Sequence, residues 1–209
     1  MTFEDLGPFE SVLDVGGNVG AFAGLCRQVW PACTITSFEP LPMLANANRK
    51  RAAGRWWVEQ VAVSNEHGVS SFRYCTNQHS ASTMMLPGDL RRREFGIRDR
   101  FEELEVPTRT LDEYQSLVRG RTLLKVDVEG AEGLVLAGAE QVLELEELAV
   151  VVVEVNQAPD IFVGSPLPAY VDEELRRHGL SFAGVLAVQL TPTGELVQFD
   201  GVWSRQPSD

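Results

Sequence analysis

Asp14 is followed by Gly16, Gly17, Asn18 and Gly20, and Glu39 stands nineteen positions beyond the last of these glycines. Gly16 and Gly20 let the main chain turn sharply and let a ligand come close to it. The start of a following helix offers N–H groups that have no partner within the helix. Asp14 suits an ammonium group. Glu39, followed by Pro40, stands where a carboxylate at the tip of a second strand can take both hydroxyls of a ribose. Asn18 and Gly20 break the G-x-G-x-x-G spacing that wraps a pyrophosphate, and no second glycine-rich phosphate site is present, which disfavours a nicotinamide dinucleotide. An amino acid joined to a nucleoside describes S-adenosylmethionine. Its adenine would then lie against Ala62 and Val63, with Ser64 and Asn65 near the purine edge.

A second set of polar residues stands in otherwise apolar runs: Lys125, Asp127 and Glu129, then Glu154 and Asn156. Strand alternation puts Lys125, Asp127 and Glu129 on one face if the strand stays regular to its end. Ligands of doubly wound sheets bind at the carboxyl ends of central strands, where these side chains would meet. A buried, unpaired ammonium is costly, so Lys125 is expected to pair with a carboxylate, and Glu154 is the leading candidate. The chemistry would be methyl transfer with proton removal, with Asp127, Lys125, Glu129 and Glu154 as candidate catalytic residues and His79 as a candidate general base. Ser82 and Thr83 are candidates to line the cofactor or acceptor pocket, Ser82 and Asp127 as cofactor-binding residues. A divalent metal is not favoured; if one bound, Asp127, Glu154 and Asn156 would be its oxygen ligands.

Strand-like and helix-like runs must alternate to hold these groups, which is the pattern of βαβ units and a mainly parallel sheet. Strands are expected at 11–15, 33–38, 56–63, 122–128 and 148–156, with helices at 19–30, 42–53, 111–118, 131–145 and 167–178. A hairpin of 182–190 and 195–204 closes the chain. Extra strands at 68–75 and 103–108 bracket residues 76–100, a polar stretch read as a lid or mobile insertion. Within it Arg91, Arg92, Arg93, Arg98 and Arg100 form either a solvated face or a lid for an anionic acceptor. Trp56 and Trp57 are expected in the sheet core. The whole chain, 1–209, reads as a single α/β domain.

Longer matches accompany these elements: V-L-D-V-G-G-N-V-G at 12–20, S-F-E-P at 37–40, V-A-V-S-N at 61–65, P-T-R-T-L-D-E at 107–113 and L-L-K-V-D-V-E-G-A-E at 123–132. In this order they resemble the FkbM-type methyltransferase family. The resemblance implies a Rossmann-like class I methyltransferase fold: a seven-stranded, mostly parallel sheet, its last strand antiparallel, with helices on both faces. It also implies S-adenosylmethionine-dependent O-methylation of a small metabolite or sugar hydroxyl, of the kind met in secondary metabolism. Members commonly carry extra sequence ahead of the first strand. Here Asp14 comes almost at once, so a site that is open, completed by a partner chain or part of a larger assembly is expected.

Composition narrows the partners. A net charge of −12 argues against nucleic acid, whose phosphates need a basic surface. No apolar run approaches membrane-spanning length and no secretory signal is visible, so a cytoplasmic enzyme is expected. Three cysteines without C-x-x-C spacing suggest reduced thiols. The acceptor is expected to be a small molecule, free, glycosylated or carrier-bound, and a homo-oligomer is left open. The rival reading is a catalytically inactive cofactor-binding module in an assembly.

Overall fold

The computed structural model describes residues 1–78, 81–88, 100–157, 161–191 and 193–205. The strands of the main sheet are β1 (Ser11–Val15), β2 (Thr34–Phe38), β3 (Trp56–Glu59), β8 (Thr122–Val126), β9 (Leu148–Asn156), β11 (Leu180–Leu190) and β12 (Leu196–Arg205). Between them run β4 (Ala62–Val63), β5 (Gly68–Cys75), β6 (Leu86–Pro87), β7 (Phe101–Arg109) and β10 (Phe162–Val163). The helices are α1 (Ala21–Val29), α2 (Pro42–Arg51), α3 (Glu132–Ala137), α4 (Glu140–Glu144) and α5 (Pro168–Arg177). The main sheet has the order β11-β12-β9-β8-β1-β2-β3. β1, β2, β3, β8 and β9 run parallel, and the last strand, β12, lies antiparallel to both β9 and β11.

The central strands are apolar on both faces because helices cover both. Val12, Leu123, Val150 and Val152 pack with Ala23, Cys26 and Trp30 of the α1 side. Leu13, Leu124, Val151 and Val153 pack with Val135, Leu143 and Leu175 from α3, α4 and α5. Alternation along each strand thus feeds two cores, and the polar residues near the strand ends are left for the crest of the sheet.

Three of the expected elements differ in ways that bear on the site or the sheet edge. The third strand is cut at Glu59; Ala62 and Val63 leave the main sheet and pair with β7 in a three-stranded sheet, β4-β7-β5. Trp56 is buried, but Trp57 is 51% exposed, because β3 is an edge strand with one face uncovered. The helix expected at 131–145 is broken into α3 and α4. A Cβ on Gly138 would come within 2.0 Å of the Ser64 carbonyl oxygen, so the break falls where two backbones touch. The segment expected as helix at 111–118 is a 3-10 helix, Leu111–Leu117, held by a reciprocal Thr110–Glu113 capping box. No helix among the described residues is long and apolar enough to cross a membrane.

Candidate active site

The loop after β1 is folded against β2 and β8. Gly16 and Gly17 both donate to the Phe38 carbonyl, at 3.1 and 2.9 Å. Gly16 has φ +88°, and a Cβ there would sit 1.8 Å from the Asp127 carbonyl oxygen. Only glycine fits that approach. Gly20, at φ +75°, hands the loop to α1.

Glu39 sits at the tip of β2, almost fully buried. Its Oε2 accepts from the Asn18 N–H at 2.7 Å and its Oε1 from the Leu41 N–H at 2.8 Å. A carboxylate has about four lone-pair positions, so both oxygens can still accept from a ligand. Burial pushes its pKa up to about 7, even though the two N–H donors pull the other way. Asp14 lies deeper. Ser37 Oγ donates to its Oδ2 at 2.7 Å, and Trp56 Nε1 donates to Ser37 Oγ at 3.0 Å. Burial raises the pKa of Asp14 as well.

A cavity of about 310 Å³ opens between these tips. Gly16, Asn18, Glu39 and Pro40 line one end of it, and Leu41, Leu44, Ala62, Val63, Phe72 and Met84 form an apolar wall. Ser82 lines it too, its hydroxyl accepting from the Cys75 N–H at 3.0 Å. Asp127, Glu129 and Glu154 line the cavity as well, and one oxygen from each lies within 4.8 Å of the others. Asp14, Gly17, Gly20, Lys125 and Asn156 are not among the lining residues; they stand behind or beside them. The side chain of Asn18 adds a buried oxygen, Oδ1, that has no partner. His79, Arg91, Arg92, Arg93 and Arg98 fall outside the described residues.

Two expectations about the second set of residues are corrected. The partner of Lys125 is Asp127, not Glu154: Nζ donates to Asp127 Oδ2 at 2.6 Å. Glu154 Oε1 instead accepts from Gln198 Nε2 at 2.6 Å, because the antiparallel β12 lies directly beside β9. Burial by itself would lower the Lys125 pKa. The nearby charges of Asp127, Asp200 and Asp14 outweigh it, and the net shift is upward. The second correction concerns alternation. Strand β8 ends at Val126 and Glu129 has φ +54°, so it reaches the cluster from a turn and not from a strand face. The carboxylates that converge are therefore Asp127, Glu129 and Glu154, and the cation that meets them is Lys125.

The turn is held by two further residues, Glu132 and Thr83. Glu132, fully buried, accepts from the N–H groups of Val128 and Gly130 through one oxygen, both at 3.1 Å. Burial pushes its pKa to about 7. Thr83 Oγ1 donates to the Glu129 carbonyl at 2.7 Å and accepts from Met85 N–H at 2.9 Å, tying residues 81–88 to the turn. The E-G-A-E run was a visible signal for Glu132; the link to Thr83 spans 46 positions and had none. Glu154 has its pKa held well above the usual carboxylate range, first by burial and then by the charges of Asp127, Glu129 and Glu132.

Comparison with known proteins agrees with this frame. The family described as Methyltransferase FkbM domain matches residues 14–182. The 31-O-demethyl-FK506 methyltransferase FkbM of Streptomyces tacrolimicus is 32% identical, over 65% of this chain and 62% of that protein. The 2-O-methyltransferase NoeI of Sinorhizobium fredii is 29% identical, over 65% of this chain and 60% of that protein. The chain thus spans about three fifths of the length of these curated relatives. The 1,6-didemethyltoxoflavin-N1-methyltransferase of Burkholderia thailandensis, solved with 1,6-didemethyltoxoflavin and S-adenosylhomocysteine, is 12% identical with a TM-score of 0.51, over 97% of this chain and 74% of that one. That likeness is one of fold. The sheet order, with its antiparallel last strand, is the Rossmann-like class I methyltransferase arrangement.

Proposed function

The chain belongs to the FkbM methyltransferase family, and on that premise we propose that it moves the methyl group of S-adenosylmethionine to a hydroxyl oxygen of a small metabolite or a sugar moiety. One observation carries this reading: Glu39, a set of apolar side chains and the Asp127–Glu129–Glu154 cluster line a single cavity. A nucleoside fits the first part and a reacting hydroxyl the last. Glu39, already aligned by two backbone donors, takes the ribose hydroxyls. Ala62 and Val63 flank the adenine. The unpartnered Asn18 Oδ1 suits the ammonium of the methionyl tail, while Asp14 supports the loop from below through Ser37.

S-adenosylmethionine supplies an electrophilic methyl group on a sulfonium. Displacement breaks its S–CH3 bond and forms an O–CH3 bond, so the chain has to align the acceptor oxygen and receive its proton. Asp127, which lines the cavity, receives it on the carboxylate oxygen that Lys125 does not hold. Glu129 and Glu154 orient the acceptor. The chain's carboxylates at this end of the cavity support catalysis over an inactive cofactor-binding module. Titration calorimetry with S-adenosylmethionine and with NADH tests the first half: saturable binding is expected for the former alone. Release of S-adenosylhomocysteine across a panel of hydroxyl acceptors tests the second. Binding of NADH in place of S-adenosylmethionine would overturn the reading.

A further inference from the structure

The end of the cavity away from Glu39 is built partly by the closing hairpin. Gln189 of β11 and Gln198 of β12 both line the cavity. They are direct cross-strand partners, and Gln198 is in turn the partner of Asn156 on β9. Residues directly opposite one another in an antiparallel ladder project from the same face. Three carboxamides therefore form one row across three adjacent strands. The next row on the same face pairs Glu154 with Asp200.

Two features of these rows point to a ligand. Asn156 is 1% exposed, yet neither its Oδ1 nor its Nδ2 has a hydrogen-bond partner; Glu154 Oε2 is likewise buried and unpartnered. Buried polar groups are nearly always paired, and Glu154, which lines the cavity, thus has an oxygen free to take a ligand hydroxyl. The second feature is the sign of the charge. The carboxylates of Asp127, Glu129 and Glu154 face this end, and the ammonium that approaches them, Lys125, is taken by Asp127 and does not line the cavity. A carboxylate or phosphate on the acceptor would enter a field of its own sign. A carboxamide both donates and accepts, as a hydroxyl does, so a row of them matches neighbouring hydroxyls and carries no charge.

We propose that Gln189 and Gln198, backed by the buried Asn156, form the acceptor platform, and that it selects a neutral acceptor bearing several hydroxyls over a carboxylate- or phosphate-bearing one. The proposal rests on the methyl-transfer reading for what the acceptor undergoes, but not for whether it binds. Gln198 is the specificity-determining residue. Its amide N–H2 donates to Glu154, so its amide oxygen is the atom offered to an acceptor hydroxyl.

Saturation-transfer NMR on the full chain tests this, with and without S-adenosylhomocysteine. The probes are neutral methyl glycosides of several configurations and myo-inositol, set against the matching methyl uronates and sugar 6-phosphates. At least one neutral probe is expected to bind about tenfold more tightly than its charged counterpart. That signal is expected to weaken about tenfold in Gln189→Ala/Gln198→Ala, while S-adenosylhomocysteine affinity stays within about twofold. Gln198→Glu is expected to lose the neutral probe without gaining the charged one. Equal or tighter binding of the uronate or phosphate overturns the platform. So does silence from every neutral probe, or binding that survives the double substitution. Failure to bind S-adenosylhomocysteine counts against the methyl-transfer reading alone, because the glycoside signal is read separately.

Discussion

Glu39 offers the most quantitative test. Its carboxyl is buried, accepts from two backbone N–H groups, and has a pKa pushed up to about 7. Two ribose hydroxyls need two acceptor oxygens, so the nucleoside binds the carboxylate form and draws its proton off. Affinity then rises with pH through about 7 and levels above it. If only the carboxylate binds, the dissociation constant scales as one plus the ratio of protonated to ionised Glu39. That ratio is about 10 at pH 6 and about 0.1 at pH 8, so affinity rises roughly tenfold from pH 6 to pH 8, or about 1.4 kcal/mol. Isothermal titration with S-adenosylhomocysteine at pH 6, 7 and 8 reads this directly. Glu39→Gln removes the titrating group and should flatten the profile, at an affinity below that of the unaltered chain at pH 8. The unbound protein changes stability in the opposite sense. Its folded pKa lies above the ordinary 4.5, so the contribution of Glu39 is complete below pH 4.5 and is lost as pH rises through about 7. A flat profile in the unaltered chain, or an unchanged slope in Glu39→Gln, would refute the assignment of Glu39 to the ribose.

Other substitutions probe the frame around it. Gly16→Ala should cost about 3 kcal/mol or more in urea denaturation, because it adds a clash with the Asp127 carbonyl to the ~1–2 kcal/mol of a left-handed backbone. Gly17→Ala, whose added Cβ would sit 3.0 Å from Ser37 Cβ at an ordinary φ, should cost distinctly less. Lys125→Met leaves the acidic cluster without its cation and should lose about 2–4 kcal/mol at pH 8. The loss should shrink at pH 5 as the buried carboxyls protonate, and an equal loss at both pH values would show that packing, not charge, is at stake. Thr83→Val cuts the tie to Glu129 and should lower turnover about tenfold with S-adenosylhomocysteine affinity unchanged; equal loss of both would make Thr83 a general structural residue.

Much of this architecture is written in local pattern. The runs at 68–75 and 148–156 are the observed β5 and β9 to the residue, since composition and alternation suffice where a strand begins and ends at a polar or turn residue. The family follows from motifs lying within single βα units, and the resemblance they carry implies the antiparallel last strand. The errors share a cause. The split of the third strand, the interruption at Gly138 and the end of β8 at Val126 each depend on what another segment does in space. Ser64 against Gly138 is one instance, and Glu132 drawing in the N–H groups of Val128 and Gly130 is another.

By itself, then, the amino-acid order determined the sheet, the glycine turn and which residue types stand at the strand tips. These follow from hydrophobic period and backbone freedom, which act over a few neighbours. Only tertiary structure decided that Lys125 meets Asp127, that Thr83 braces the turn carrying Glu129, and that Gln189, Gln198 and Asn156 line up across three strands. Pairing of charges and register of strands are settled by distance and orientation between remote segments, and a string of residues carries neither.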